Sequence, residues 1–422
     1  MAVPATPTKE RQPVLPPAVS RRLAQIGRSV GLPLGSIVFA FIVGAIVVVI
    51  SGGDPIRAYQ ALLCGGFGLA CSGTIYPAFQ ISSTIVKAIP LVLTGISVAI
   101  AFKAGLFNIG AEGQLVVGAI ATTLVGIRFA DLPPILLVTL VLIAGALAGA
   151  IWGGIVGVLK AYTGAHEVVT TIMLNYVAIY LAEFLVTGGP LSLKTAGGNP
   201  RSPAIGSNAI LPPLIPADST FFGLPGSVYQ LSIALFVAIA AVVVFWFLLK
   251  RTTLGYEITA VGQSQRAARY GGISVRRTII VTMLIAGAFA GLAGSIRIAG
   301  TSVQPYLTNS FLTDTTGFDA ITVSLLGLNG PIGVALGALL VGGLQIGAPV
   351  MQSDAGIDGN LVYVLQALIL FAIAANFLRA LMLRLPAPRN AQPSQSSVEP
   401  GVGAYATDVE PAAASTEVRE GT

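Results

Sequence analysis

Apolar residues in this chain come in long unbroken runs, not in the alternation of a strand or the narrow stripe of a soluble helix. The first run, Leu34 to Ile50, has the minimum length for a helix that crosses a bilayer. Others follow at about 85–104, 108–127, 134–159, 168–188, 228–249, 278–299, 314–328, 331–350 and 361–383, making ten. Two are weaker than the rest: 108–127 opens on a polar stretch, and 314–328 is too short for a hydrocarbon core of ~30 Å. Either reads as a half-span or a broken helix, which a membrane tolerates only where backbone is buried in protein or lines a cavity. The pattern predicts an all-α, polytopic membrane bundle of about ten spans, broken or half-spans included.

The polar stretches between the runs carry the orientation. Residues 1–33 are Pro-rich and basic and lack, near Met1, the short apolar core and small-residue cleavage site of a signal peptide. They are expected to form a mobile cytoplasmic arm, and Leu34–Ile50 is expected to stay as an anchor. With ten alternating crossings from a cytoplasmic N-terminus, sixteen Lys and Arg fall on inside segments and four (Arg57, Arg128, Lys194, Arg201) on outside ones. That bias places both termini in the cytoplasm. The membrane domain is then 34–385, with an external loop at 190–227 and an inside loop at 250–277 that carries six basic residues and one acid, Glu257. The tail, 386–422, has no periodicity and is expected to be disordered.

Composition narrows the class. The 422 residues are 54% hydrophobic and 9% charged, with a mean hydropathy of +0.84; a soluble domain carries roughly 25% charged residues. This excludes an ordinary cytosolic enzyme, a disordered scaffold and a secreted disulfide-rich module. The net charge of +6 falls in clusters between apolar runs, with no basic patch interleaved with aromatics, so no nucleic acid is implied. Two cysteines exclude a Cys-ligated metal cluster, and a single histidine, His166, argues against a zinc site. Cys64 and Cys71 lie in the first outside loop; a disulfide closing a short loop and two unpaired thiols are both open. Among the 50 glycines, Gly145, Gly149, Gly153 and Gly157 recur at spacing four in the fourth span, and Gly287, Gly291 and Gly294 in the seventh. Such stripes let another backbone approach closely and say nothing about a solute.

Polar groups inside apolar runs are costly in lipid and normally face the bundle interior or a water-filled cavity. Asn108, Glu112 and Gln114 open the third run amid three glycines, and read either as a pathway-lining element or as polar glue between helices. In the fifth run, Glu167 suits a helix N-terminus, and Thr171 and Asn175 share a face directed into the bundle. Asp314, Asp319 and Asn329 are the polar groups near the short run; Asp319 serves either to bond a polar solute or to cap a helix. The inside loop is helix-compatible from about Glu257 to Tyr270 and stops at Gly271-Gly272. Small residues Ala260, Ala267 and Ala268 would let it sit in a groove, with Arg266 and Arg269 as rim charges; the alternative is a loop that only fixes topology and binds anionic lipid.

The run "GLFNIGAEGQ" followed by "HEVVTTIMLNYVA" resembles the inner-membrane permease subunits of bacterial ABC importers for simple sugars and branched-chain amino acids, and most of all the nucleoside-type permeases. The likeness continues in "AVGQSQRAARYGGISVRR", "GFDAITVSLLGLNGPIGVALGALLVGGL" and "GAPVMQ", covering about residues 35–385. It implies a multi-pass permease of the bacterial inner membrane working with ABC ATPase subunits, a second permease chain in a heterodimer and an extracytoplasmic solute-binding protein. It also assigns Ala267, Ala268, Gly272 and Ile273 to the segment that couples to the ATPases, although the Glu-Ala-Ala signature of other importers is absent. The chain has no Gly-x-x-x-x-Gly-Lys-[Ser/Thr] loop, so it is not itself an ATPase, and ATP is hydrolysed by partner subunits. A simple-sugar permease is the alternative solute class. An ion-coupled transporter would need a relay near the midplane, for which the candidates are few and mostly near span ends. An intramembrane enzyme would need acid–base groups that a single histidine does not supply.

Overall fold

The computed structural model describes residues 17–71, 76–193, 200–216, 218–300, 304–308 and 315–374. In chain order its helices are α1 (Pro17–Ile50), α2 (Pro55–Phe67), α3 (Pro77–Lys103), α4 (Ala111–Arg128), α5 (Pro134–Thr163), α6 (Glu167–Thr187), α7 (Ala234–Arg251), α8 (Thr253–Gln263), α9 (Gln265–Tyr270), α10 (Val275–Ala299), α11 (Thr316–Leu326), α12 (Pro331–Ala355) and α13 (Leu361–Ala374). Proline opens α2, α3, α5 and α12, where its missing N–H costs no intrahelical bond. Among the described residues, seven helices are long and apolar enough to cross a bilayer: α3, α5, α6, α7, α10, α12 and the Pro33–Ile50 part of α1. The described fold is a polytopic helical membrane bundle.

Over the described residues, each of the ten apolar runs coincides with a helix, with three differences from the sequence reading. Helix α1 starts at Pro17, well before the apolar run does. Helix α11 has 11 residues, a rise of about 16 Å at 1.5 Å per residue, which by itself falls short of a ~30 Å hydrocarbon core. And α2, within the stretch expected to be an outside loop, is a helix with Ala58, Ala61, Leu62, Cys64, Gly65 and Gly66 buried. Its short apolar stretch is broken by Arg57, Tyr59 and Gln60, so no spanning run is visible. What buries it is close backbone packing on α12: a methyl group on Gly66 would strike the carbonyl oxygen of Gly343, and one on Gly347 that of Leu62. Asp54 caps α2 by accepting from the N–H of Ile56 at 2.9 Å, and Cys64 and Cys71 are joined by a disulfide. Residues 1–16, Lys194, Asp314, Arg379, Arg384, Arg389 and the 386–422 tail lie outside the described residues.

The largest core gathers around α3, α4, α5 and α10. Here the glycine stripes of α5 and α10 face each other at backbone distance. A methyl on Gly287 would strike the Gly149 carbonyl oxygen, and one on Gly149 would strike that of Gly287. Helix α4 enters the same seam, since a methyl on Gly294 would meet the Leu115 carbonyl oxygen. One hydroxyl pair closes it: Thr122 donates to Ser295 Oγ at 2.8 Å, and Ser295 donates onward to the Val141 carbonyl at 3.3 Å.

Between α6 and α7, the described residues of 200–233 form turns, two of them 3-10, from which Ile205, Ala209 and Leu211 reach into the core, and a small hairpin of β1 (Thr220–Phe221) and β2 (Leu224–Pro225), antiparallel with Phe221 opposite Leu224. Its two turn residues, Phe222 and Gly223, both have positive φ, the geometry that matches strand twist in a two-residue hairpin.

The glycine seam generates a paired prediction. Gly287→Ala should destabilise the detergent-solubilised chain by about 1–3 kcal/mol through overpacking. Gly188→Ala, at a position with open space and ordinary φ, should leave the thermal unfolding midpoint unchanged. Equal midpoints for the two variants would contradict the seam.

Candidate functional site

The polar stretch that opens the third apolar run folds into a turn locked to itself. Gly105, with φ +71, ends α3, and the chain turns through Asn108 into α4. Asn108 Oδ1 accepts from the Gly110 N–H at 3.1 Å, an Asx-type turn. The Asn108 and Gln114 amides pair reciprocally, at 3.1 and 3.2 Å, and Asn108 also donates to Ser97 Oγ of α3 at 3.3 Å. From α6, Asn175 accepts from the Gly113 N–H at 2.8 Å and donates to the Ile109 carbonyl at 3.0 Å. Thr171, one turn earlier on the same face, lays its methyl against Gly110 and spends its hydroxyl on its own helix, at the Glu167 carbonyl. Glu167 itself pairs with Lys160 of α5 at 2.6 Å.

Glu112 reaches a different part of the chain. Its Oε2 accepts from the N–H of Gly317, in the first turn of α11, at 2.6 Å. A helix N-terminus presents unsatisfied N–H groups and a partial positive charge, and here a buried carboxylate meets them. Gly317 is required by this approach, because a methyl there would strike the backbone nitrogen and Cα of Glu112. The two weak runs of the sequence therefore meet at their helix starts.

Of the six residues singled out as pathway candidates, Asn108, Glu112, Gln114, Thr171 and Asn175 are buried to 2% exposure or less. The structure brings these five together around the start of α4 and closes them off with their own neighbours. Asp319 stands apart and half-buried on α11, where its Oδ2 accepts from Gln345 Nε2 of α12 at 2.8 Å and from the Thr315 hydroxyl at 3.2 Å. Close by, Arg297 of α10 donates to Thr316 Oγ1 at 3.0 Å. Sequence reasoning passes over Ser97, Arg297 and Gln345, and over Lys87, a half-buried cation inside α3. Charges within the spanning helices α3 and α10 were the available signal for Lys87 and Arg297; nothing in the pattern marks Ser97.

The 250–277 segment forms two helices rather than one. Ser264 interrupts them with an extended backbone, φ −161 and ψ 109, and its hydroxyl accepts from the Ala267 N–H at 3.3 Å to start α9. Gly272, with φ +81, lets the chain leave α9, as expected of the Gly271-Gly272 stop. Ile258, Val261 and Ala268 are buried against Ala104, Leu106, Val275 and Met283, with Ala260 and Ile273 partly so. Gly262 lies directly on the end of α3, where a methyl would meet the Lys103 carbonyl oxygen. Thr278 donates to Glu257 Oε2 at 3.4 Å, a tether to α10. Ala268 thus serves the chain's own core, leaving Arg266, Ala267, Arg269 and Gly272 exposed beside Tyr270, which is 94% exposed.

A bundle whose short helices begin on a buried polar network, and which presents a seated, basic, two-helix loop at one end, is a membrane protein of the transporter class. Residues 80–374 match the model of the branched-chain amino acid transport system permease component family, and the chain belongs to that family. It is similar to the guanosine ABC transporter permease protein NupP of Bacillus subtilis, at 37% identity over 82% of this chain and 93% of that one. Likewise it is similar to the nucleoside ABC transporter permease protein NupB of Lactococcus lactis (38%, 84% and 93%) and the glucose ABC transporter permease protein TsgB13 of Haloferax volcanii (36%, 85% and 91%). A second guanosine ABC transporter permease protein of Bacillus subtilis, NupQ, is 29% identical over 62% of this chain and 78% of its own length. No solved structure matches.

The network makes separable predictions. Glu112→Ala removes the acceptor for a buried N–H and should cost about 1–3 kcal/mol, whereas Glu112→Gln keeps an acceptor and should recover part of it. Asn175→Asp loses the donor to Ile109 and should also destabilise. Thermal unfolding of the solubilised variants checks the order, and Glu112→Ala melting with the parent would refute the assignment.

Proposed function

We propose that this chain is the permease subunit of an ATP-driven importer, moving a small polar solute, a nucleoside before others, into the cytoplasm across a bacterial inner membrane. The observation that carries this reading is the match, over four fifths of the chain, to ABC transporter permease proteins, among them the guanosine and nucleoside ones. The glucose relative favours a simple sugar as the second solute class. ATP is then used by separate ATPase subunits, and solute arrives on an extracytoplasmic binding protein. That one organism carries two relatives of this chain with the same description supports a second permease chain and a heterodimer.

In this assembly the membrane domain is 34–385, the termini and the 250–277 loop face the cytoplasm, and 190–227 lies outside. Arg266, Ala267, Arg269 and Gly272 with Tyr270 form the docking surface for an ATPase, while Glu257, Ala260, Ala268 and Ile273 seat that surface on α3 and α10. The seat leads toward the solute path, because Leu106 lies in the core under α8 and Asn108 follows two residues on. Asn108, Glu112, Gln114, Thr171 and Asn175 hold the starts of the short helices that border the path, and Asp319 faces it.

Uptake by the reconstituted transporter should survive collapse of the membrane potential and stop when ATP is depleted. Uptake by this chain alone, with no ATPase present, would overturn the proposal. Ala267→Trp should weaken solute-stimulated ATPase activity about tenfold, the effect of roughly 1.4 kcal/mol at a contact, with the melting temperature unchanged. Glu257→Ala should act in the same direction by loosening the seat. Normal stimulation in both would move the docking surface elsewhere.

A further inference from the structure

Helix α11 is too short to cross the membrane, so one of its ends lies within the apolar layer. Part of its start is accessible at the surface of the described bundle. Thr315 and Phe318 are exposed, Phe318 by 41%, and Asp319 is half-buried; spacings of three and four place all three on one stripe of the helix. Across from this stripe stands Gln345 of α12, which gives one N–H to Asp319 at 2.8 Å. An amide has a second N–H and two acceptor sites besides, and Gln345 is itself only partly buried. One cation borders this place, and the backbone beside a second lies one turn away on α12. Arg297 reaches the first turn through Thr316, and Lys87 precedes Ala88, whose backbone nitrogen packs against Gly342, one turn before Gln345.

Ionisable and amide groups at this depth face water or protein, not lipid, because their desolvation in hydrocarbon is uncompensated. We propose that Asp319 and Gln345 form a hydroxyl-reading pair in the solute path, with Phe318 as the flat apolar surface beside them. A carboxylate and an amide side by side accept from and donate to adjacent hydroxyl groups, and an aromatic face accepts a planar ring. That combination suits a solute with a vicinal diol joined to a flat heterocycle, the chemistry of a ribonucleoside. Gln345 and Phe318 then become specificity-determining residues. This rests on the importer reading above and adds to it a place where the membrane subunit itself discriminates.

The test uses the whole transporter, reconstituted with its ATPases, partner permease and binding protein. Cys64 and Cys71 are the chain's two cysteines and are bonded to each other, so a cysteine introduced singly is its one reactive thiol. Gln345→Cys and Phe318→Cys should react with a charged, membrane-impermeant methanethiosulfonate, and uridine should slow that reaction severalfold. Phe236→Cys, on the exposed apolar face of α7, should stay unlabelled. Absence of reaction from either aqueous side, or reaction that uridine does not slow, would overturn the proposal and point instead to a contact with the second permease chain. In uptake, Asp319→Asn and Gln345→Ala should reduce the preference for uridine over 2′,3′-dideoxyuridine, as a ratio of kcat/KM, by about tenfold, since a site built around a hydroxyl discriminates through it. A ratio within twofold of the parent's would refute the pair. If the parent shows ATP-driven uptake of a sugar but of no nucleoside, it is the nucleoside preference above that fails, and the thiol reactivities still decide whether the site is open to water.

Discussion

A helix whose first residues are buried leaves N–H groups that only the protein can satisfy. In this chain the buried carboxylate of Glu112 answers that constraint for α11, at the N–H of Gly317, 205 residues further along the sequence. The contact joins the first turns of the two weak helices, α4 and α11, and the neighbouring polar bonds serve the same end. The Asn108–Gln114 amide pair and Asn175 fix the turn into α4, so the carboxylate is delivered to one place. Were Glu112 to swing away, a buried N–H at the start of α11 would lose its acceptor.

Around that contact the bundle is held by backbone lying on backbone. In lipid the hydrophobic effect does not drive helices together, so close packing of small residues must supply the association. The α5–α10 seam and the α2–α12 contact both take this form, one through Gly149 and Gly287, the other through Gly66 and Gly343. The same device seats the 250–277 segment: Gly262 rests on the carbonyl end of α3, beside the turn that carries Asn108. A displacement of the basic loop is therefore applied close to the polar network, with little compressible side-chain packing between them.

Much of this was legible in the residues. Apolar run length marked ten segments, each of which is helical over its described residues, and the shortness of 314–328 anticipated the short α11. Polar residues inside apolar runs pointed to Asn108, Glu112, Gln114 and Asn175, and helical spacing put Thr171 and Asn175 on one face. The glycine repeats announced close packing. Two local features escaped. Helix α2 is buried by its partner rather than by its own hydrophobicity. The break at Ser264 depends on one hydroxyl choosing to cap α9 instead of continuing α8.

What the sequence determined by itself is whatever depends on a local count: which segments prefer lipid, where helices stop, which polar groups lie among apolar neighbours, and that the family's motifs are present. The tertiary structure alone decided which of those groups meet. Glu112 and Gly317, Asp319 and Gln345, and Gly262 and Lys103 are distant in sequence, and each contact rests on helix crossings set by many residues at once. Polar identity therefore nominates a residue, but burial and partnership decide whether it braces the bundle, as Asn108 and Glu112 do, or stays partly open, as Asp319 does.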